Sequence, residues 1–199
     1  MKQVWFVVHG HSQLAGPFLQ DFSALDDGTR LIVAPEALSR FYLETTTQGR
    51  HSHRVGATWM TREDREAEIA DYISYLDALA DSVSDRLGGL PDTRVLGFSQ
   101  GGATVARWAT RGSTPVPELI LWGSLVPDDA LDGPGAERLA SLRVILVQGT
   151  EDPLVSPELR IRQAAALKQR GVICRLLSFA GGHRLDQGVL KALAGETAD

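Results

Sequence analysis

The sequence predicts an α/β protein built on a parallel sheet, and two patterns carry this prediction. Short apolar runs rich in β-branched residues alternate with helical patterns along the chain, as the crossover units of a parallel sheet require. Several runs are almost continuously apolar, which is typical of strands buried on both faces. The six predicted strands are Val4–Val8, Leu31–Ala34, Arg94–Phe98, Glu118–Trp122, Arg143–Gln148 and Val172–Phe179. We expect a three-layer α/β/α sandwich with right-handed crossovers and the strand order 2-1-3-4-5-6.

Helices are predicted between these strands. The first covers residues 16–25, where apolar side chains recur at helical spacing before Asp26-Asp27-Gly28. The clearest helix has an apolar stripe of Ile69, Ile73, Leu76, Ala80, Val83 and Leu87. Thr61–Asp64 resembles its capping box, and Gly88-Gly89 ends it.

Three later helices complete the predicted crossovers. One begins near Gln100 and ends before Gly112, and the next begins with Ser156 as N-cap and Pro157 as first helical residue. The last covers about 185–193, with Asp186 read as a residue of the helix start. The segments 35–60 and 127–135 show no clear pattern and follow strand ends, where open α/β sheets bind ligands.

Composition limits the class of protein. The chain has 199 residues, 43% of them hydrophobic and 23% charged, which predicts one globular domain over 1–199. A net charge of −5 without any run of Lys or Arg argues against nucleic acid and anionic membranes as partners. The apolar run Val4–Val8 is too short for a signal sequence or a membrane span. Cys174 is the only cysteine and is read as a core thiol, so we expect a cytoplasmic protein, with a homodimer left open.

The central motif is Gly97-Phe98-Ser99-Gln100-Gly101, which follows the third strand directly. A G-x-S-x-G segment between a strand and a helix predicts a nucleophile elbow, in which a strained serine exposes its hydroxyl above the sheet. The two glycines leave room for the sharp turn. The helix that follows directs its unpaired N–H groups and positive dipole end at Ser99, which favours negative charge there.

A nucleophilic serine needs a base and an anion that orients the base, and later strand ends supply both. Asp152 follows the fifth strand and His183 follows the sixth, in the chain order that this fold uses. Glu151 is the alternative acid; Asp152 is preferred because it is shorter and suits a tight turn. We therefore predict Ser99, Asp152 and His183 as a catalytic triad.

The loop after the first strand is expected to complete an oxyanion hole. Gly10 permits a backbone conformation in which the N–H of His11 faces the substrate carbonyl oxygen, opposite the N–H of Gln100. A metal site formed by His9, His11, His51 and His53 is the competing interpretation. No carboxylate-rich or cysteine pattern accompanies these histidines, so we predict no metal.

The segment 35–60 is too long for a simple connection and is predicted to be a pocket wall or lid. Its apolar residues suit the wall of an acyl pocket, and Phe41, Tyr42 and Trp59 are predicted to bind substrate. Its cationic side chains, Arg40, Arg50 and Arg54, would favour polar or acidic substrates. An apolar flap that only covers the sheet edge is the structural alternative.

Motifs spread along nearly the whole chain carry a family resemblance. Val7–Gly10, Gly97–Gly102, Gln148–Val155 and Gly182-His183 resemble the small α/β hydrolases of the phospholipase/carboxylesterase group, which includes acyl-protein thioesterases. The resemblance implies an α/β-hydrolase fold and hydrolysis of carboxylic esters or thioesters by the residues named above. The expected sheet departs from that of a full α/β hydrolase, because it is a minimal six-stranded one without the N-terminal hairpin. His11 is a further departure, since an apolar residue is expected there.

The predicted chemistry is two-step acyl transfer through an acyl-enzyme on Ser99, without any cofactor. The predicted substrate is a small-molecule ester or thioester with a small or medium acyl group. An acyltransferase or a peptidase would use the same triad, and a non-catalytic binding or scaffold protein could share the fold. The complete set of three triad candidates favours an enzyme.

Overall fold

The computed structural model describes residues 1–44, 54–132 and 134–196. Its main sheet has six strands in the order β2-β1-β5-β6-β7-β8, and every neighbouring pair is parallel. These strands are β1 (Gln3–Val8), β2 (Arg30–Val33), β5 (Asp92–Phe98), β6 (Glu118–Trp122), β7 (Arg143–Gly149) and β8 (Ile173–Phe179). The predicted fold class and strand order are confirmed.

The register brings the functional loops to one edge of this sheet. Val8 at the end of β1 pairs with Gly97 of β5, and Phe98 pairs with Trp122 of β6. Gly149 at the end of β7 pairs with Phe179 of β8. Since parallel strands end at the same edge, the loops that follow β1, β5, β7 and β8 emerge together.

Helices cover both faces of the sheet. They are α1 (Ala15–Gln20), α2 (Arg65–Leu87), α3 (Gln100–Arg111), α4 (Pro134–Ala140), α5 (Pro157–Gln169) and α6 (Gln187–Gly195). The core on one face joins Phe6 of β1 to α2, α3, α4 and α5, whereas the other core joins Trp5 to α1 and α6. Successive residues of a strand point to opposite faces, so the strands serve both cores and form the middle layer.

An additional two-stranded hairpin lies in the segment that was predicted to lack regular structure. Strands β3 (Ser39–Tyr42) and β4 (Val55–Thr58) pair antiparallel, with Phe41 opposite Gly56. Strands of four residues with mostly exposed side chains in β3 leave too little alternation to be detected in the sequence. Arg50, His51 and His53 lie outside the described residues.

Other boundaries also differ from the expectations. The first crossover is a short helix followed by a 3-10 turn at Ser23–Leu25, and 127–135 contains a 3-10 turn and the start of α4. The predicted capping box at Thr61 does not form, because Asp64 is the N-cap and uses no side-chain bond. Cys174 is only half-buried, on the margin of the core.

Two helix starts agree with the sequence. Ser156 Oγ accepts a hydrogen bond from the Leu159 N–H at 3.2 Å, and Asp186 caps α6 by accepting from the N–H groups of Gly188 and Val189. Within the described ranges, no helix is long and apolar enough to cross a membrane.

Candidate active site

Ser99 occupies the strained turn between β5 and α3. Its backbone φ of 54° and ψ of −121° lie outside the regions that residues with a Cβ normally adopt. The Ser99 N–H donates to the carbonyl of Trp122 at 2.9 Å, and the N–H of Gly102 donates to the Ser99 carbonyl at 2.9 Å. Such strain persists only where surrounding contacts impose it, and it is common at functional sites.

The two glycines that flank Ser99 are required by close packing. A Cβ on Gly97 would lie 2.3 Å from the carbonyl oxygen of Gly101. A Cβ on Gly101 would lie 2.2 Å from the carbonyl oxygen of Val8 in β1. Both distances are well inside van der Waals contact, so any larger residue would push α3 away from the strand ends.

The loops after β7 and β8 bring an acid and a histidine together. His183 Nδ1 lies 2.7 Å from Asp152 Oδ2, and Asp152 Oδ1 accepts the Leu154 N–H at 2.9 Å. The Asp152 side chain is only 1% exposed, whereas Glu151 is exposed. A buried carboxylate that accepts from Nδ1–H fixes the imidazole tautomer and supports its positive charge. The structure therefore pairs Asp152, and not Glu151, with the histidine.

Contacts on two sides hold the His183 ring beside the elbow. The ring centroid lies 4.7 Å from that of Phe98, the residue that precedes Ser99. Gly123, at the end of β6, packs beneath the pair, and a Cβ there would lie 2.8 Å from His183 Cε1. Nε2 of His183 has no hydrogen-bond partner in the described ranges and is the nitrogen left to act on a neighbouring group.

The loop after β1 passes directly over Ser99. A Cβ on Gly10 would lie 3.1 Å from the Cβ of Ser99, and the Gly10 N–H donates to Gln13 Oε1 at 2.7 Å. Ser12 takes the left-handed conformation, with a φ of 66°, and its N–H donates to the Ala57 carbonyl at 2.9 Å. His11 lies between these two anchored positions, with its ring exposed and stacked on Phe41 at 5.2 Å.

The side chain of Gln100 was not singled out from the sequence, yet it is a central connection of the site. Its Oε1 accepts the Trp59 N–H at 3.1 Å, and its Nε2 donates to the Met60 carbonyl at 2.9 Å. In addition, Thr58 Oγ1 donates to Gln100 Oε1 and accepts from Gln100 Nε2. These bonds join the first residue of α3 to the end of the hairpin. No periodic pattern signals such a tertiary contact, so the sequence could not reveal it.

Trp59 departs from its predicted role as a substrate contact. It is 2% exposed, and its Nε1 donates to the His9 carbonyl at 2.9 Å. Its ring also packs edge-on against Tyr72, 6.4 Å between centroids. The indole therefore supports the β1 loop from below instead of facing a ligand. Of the other two predicted contacts, Phe41 is partly buried against His11 and Tyr42 is 56% exposed.

His9 is a fully buried histidine beneath the same loop. Its Nδ1 lies 2.8 Å from the Gly10 carbonyl oxygen, which can only accept, so the proton is assigned to Nδ1. Its Nε2 accepts the Ala37 N–H at 3.2 Å and lies 3.1 Å from Glu36 Oε1. Burial lowers the pKa of His9 although the Gly10 carbonyl and Glu36 act in the opposite direction. The neutral imidazole thus links the β1 loop to the β2–β3 connection through hydrogen bonds.

A cavity of about 320 Å³ lies between the β1 loop, α1 and the hairpin. Ser12 and Gln13 line it from the β1 loop, and Leu43 and Val55 line it from the 35–60 segment. Within the part of the chain that the structure describes, no three His, Cys, Asp or Glu side chains are grouped as metal ligands would be.

The sheet order and the strand-to-helix elbow are those of the α/β-hydrolase fold. Similar solved structures include the carboxylesterase from Mesorhizobium loti, with a TM-score of 0.72 and 19% identity over 98% of this chain and 90% of that one. Zea mays acyl-protein thioesterase 2 gives a TM-score of 0.66 and 21% identity over 96% and 92%. Arabidopsis thaliana SOBER1 gives 0.67 and 17% over 98% and 96%.

No family model matches the chain, and no curated protein matches it. The solved structures therefore confirm the predicted resemblance at the level of the fold. The chemistry has to be argued from the residues of the site.

Proposed function

We propose that this protein is a serine hydrolase that cleaves carboxylic esters or thioesters of small or medium acyl groups. The observation that carries the proposal is the part-buried Asp152–His183 pair, 2.7 Å between Oδ2 and Nδ1, whose imidazole packs on Phe98, the residue before a serine held at a φ of 54°. A strained serine next to an oriented imidazole is the arrangement that activates a hydroxyl for acyl transfer.

In the proposed reaction, Ser99 Oγ attacks the substrate carbonyl carbon while His183 Nε2 takes the hydroxyl proton. Asp152 stabilises the imidazolium that forms. The protonated imidazole then gives its proton to the departing alcohol or thiol, which leaves an acyl-enzyme on Ser99. Water attacks this ester with the same histidine as base, which releases the acid and restores the serine.

The oxyanion formed in each step is assigned to the backbone N–H groups of His11 and Gln100. The Gln100 amide is the first of α3, and opening amides of a helix have no partner within it. The His11 amide lies in the loop that passes over Ser99 and donates to no other described residue. Preorganised donors of this kind stabilise the developing charge in a site that excludes water.

The hairpin is proposed as a fixed wall of the substrate site. Ala57 is bonded to the β1 loop through both its N–H and its carbonyl, and Gln100 holds the strand end that follows. Phe41, on the outer strand β3, stacks on His11 and would meet one side of a substrate, whereas Tyr42 points to the other face of that strand. The adjoining cavity has room for a short apolar group and lies in the size range of small-molecule sites.

The test is hydrolysis of a chain-length series of nitrophenyl esters and matched thioesters by the wild type and the Ser99→Ala variant. We expect the variant to lose several decades of kcat, on the order of 10⁶, as in other triad knockouts. Ser113→Ala is the matched control, because this serine is exposed and lies at the far end of α3. Undiminished turnover by Ser99→Ala would refute the mechanism, and absence of turnover by the wild type would favour a binding protein.

A further inference from the structure

A second concave site lies on the α2–α3–α5 side of the sheet, between the β6–α4 connection and α5. It has a volume of about 750 Å³, within the range of small-molecule sites. Its apolar surface includes Leu125, Val126 and Leu159, and its cationic surface is formed by Arg65, Arg107 and Arg162. We call it the arginine groove.

Two chains of contact connect the arginine groove to the candidate triad. Leu125 is two residues after Gly123, so the Cα atoms of Leu125 and Gly123 are at most about 7.6 Å apart. Gly123 in turn packs beneath His183. On the other side, Arg107 Nη1 lies 3.5 Å from the sulfur of Met60, whose carbonyl accepts from Gln100. Gly123 and Met60 thus each lie between a residue of the groove and a residue of the candidate site, His183 on one side and Gln100 on the other.

The wall of the groove is fixed before any ligand binds. Gln163 of α5 accepts the Val126 N–H at 2.9 Å and donates to the Val126 carbonyl at 2.7 Å. This two-way bond holds the β6–α4 connection against α5. A preformed wall reduces the ordering cost of binding.

Charge gives the groove a preference for anions. Three arginines line it against two aspartates, Asp128 and Asp129, which leaves one net positive charge. Asp129 is already engaged, because Arg107 binds it through two nitrogens at 2.8 and 3.0 Å and Arg111 and Arg65 also contact it. Burial would raise the pKa of Asp129, but these arginines outweigh burial and lower it to about 2.

Arg162 is the cation of the groove that has no ion pair in the described ranges, and Asp128 is the carboxylate that has none. The Arg162 side chain is exposed at the groove. A guanidinium presents several N–H donors in a planar fork that matches a carboxylate. An apolar surface with a guanidinium at its side fits a hydrocarbon chain that ends in a carboxylate.

We propose that the arginine groove binds a carboxylate carried by the ester substrate, so that the preferred substrates are esters with a free acid at one end. This inference rests on the proposed hydrolase function and specifies its substrate class. The arginine groove would then receive the charged side of the ester, and the cavity at the hairpin would receive its neutral side.

The test compares ω-carboxylate esters with their methyl-capped counterparts in two series of isomers. The free carboxylate is on the acyl part in the first series and on the alcohol part in the second. We expect kcat/KM in one series to favour the carboxylate by about tenfold, as for a charge-assisted contact. Arg162→Gln should remove that preference and Arg162→Glu should invert it. The matched control is Arg170→Gln, an exposed arginine at the end of α5 outside the groove, which should keep it.

A binding measurement separates this proposal from the hydrolase proposal. Calorimetry with the Ser99→Ala protein and a straight-chain dicarboxylic acid should show binding that weakens at high salt and in Ser99→Ala combined with Arg162→Gln. Equal kcat/KM for charged and capped esters in both series, or a preference that survives Arg162→Gln, would overturn the groove assignment while Ser99-dependent turnover of neutral esters stands. Loss of Ser99-dependent turnover alone would overturn only the hydrolase mechanism.

Discussion

The side-chain Nε2 of Gln100 lies 2.9 Å from the Met60 carbonyl oxygen, so the residue after the candidate nucleophile is bonded to the segment that follows β4. The backbone N–H of this same residue is a proposed oxyanion donor. Gln100→Met, which keeps the size but removes the hydrogen bonds, should lower kcat by about tenfold, less than outright loss of a donor. KM should change little, because the contact acts through the transition state. A rise in KM at constant kcat would assign the side chain to substrate binding instead.

Trp59 is predicted to act through stability. Trp59→Ala would leave a large cavity under the β1 loop and should cost about 3–5 kcal/mol in the free energy of unfolding. Trp59→Phe keeps most of the packing but loses the bond to the His9 carbonyl, which should cost about 1 kcal/mol. Urea denaturation measures both. A shift in ester chain-length preference in the Phe variant, without loss of stability, would restore the original role as a substrate contact.

His9 should make stability depend on pH. Its folded pKa is lowered, chiefly by burial, below the value of about 6.5 that histidine has in an unfolded chain. The unfolded state therefore takes up a proton first, and stability falls as the pH drops below about 6.5. Subtracting the pH profile of His9→Asn from that of the wild type isolates this contribution. A difference that grows more favourable to the wild type at acid pH would contradict the neutral tautomer.

The pairing of Asp152 with His183 predicts unequal effects of the two adjacent acids. Asp152→Asn should reduce kcat by about 10⁴, because the amide no longer holds the correct imidazole tautomer. Glu151→Gln should change kcat little, since the carboxylate is exposed and the Asp152–His183 pair does not include it. Steady-state kinetics of both variants on one nitrophenyl ester measure the two losses of kcat. A larger loss in Glu151→Gln than in Asp152→Asn would reassign the acid to Glu151.

The main sheet could be predicted from the sequence because its strands are buried on both faces and therefore consist of nearly continuous apolar runs. The run Val144–Val147 is an example, because its short length and its β-branched residues favour a buried central strand. Glycine and proline then marked the turns that carry Ser99 and Asp152. Local chemistry at strand ends was therefore enough to nominate the triad candidates.

The connections between distant segments could not be predicted in this way. The bonds from Gln100 to Trp59 and Met60 depend on how the hairpin folds over the sheet edge, and the strands of that hairpin are too short to leave a pattern. The position of its segment at this edge predicts Trp59 to be a pocket residue, yet an aromatic side chain serves equally well in the core. Burial of one particular side chain is a tertiary property that a single sequence does not encode locally.

The nucleophile is the claim on which the rest depends, and covalent labelling tests it most directly. A fluorophosphonate should form an adduct on Ser99 that peptide mass spectrometry locates, with none on the Ser99→Ala protein. Labelling should slow markedly in Asp152→Asn, because the histidine there cannot activate the hydroxyl as well. An adduct on a different residue, or equal labelling of the Ser99→Ala protein, would contradict the assignment of Ser99.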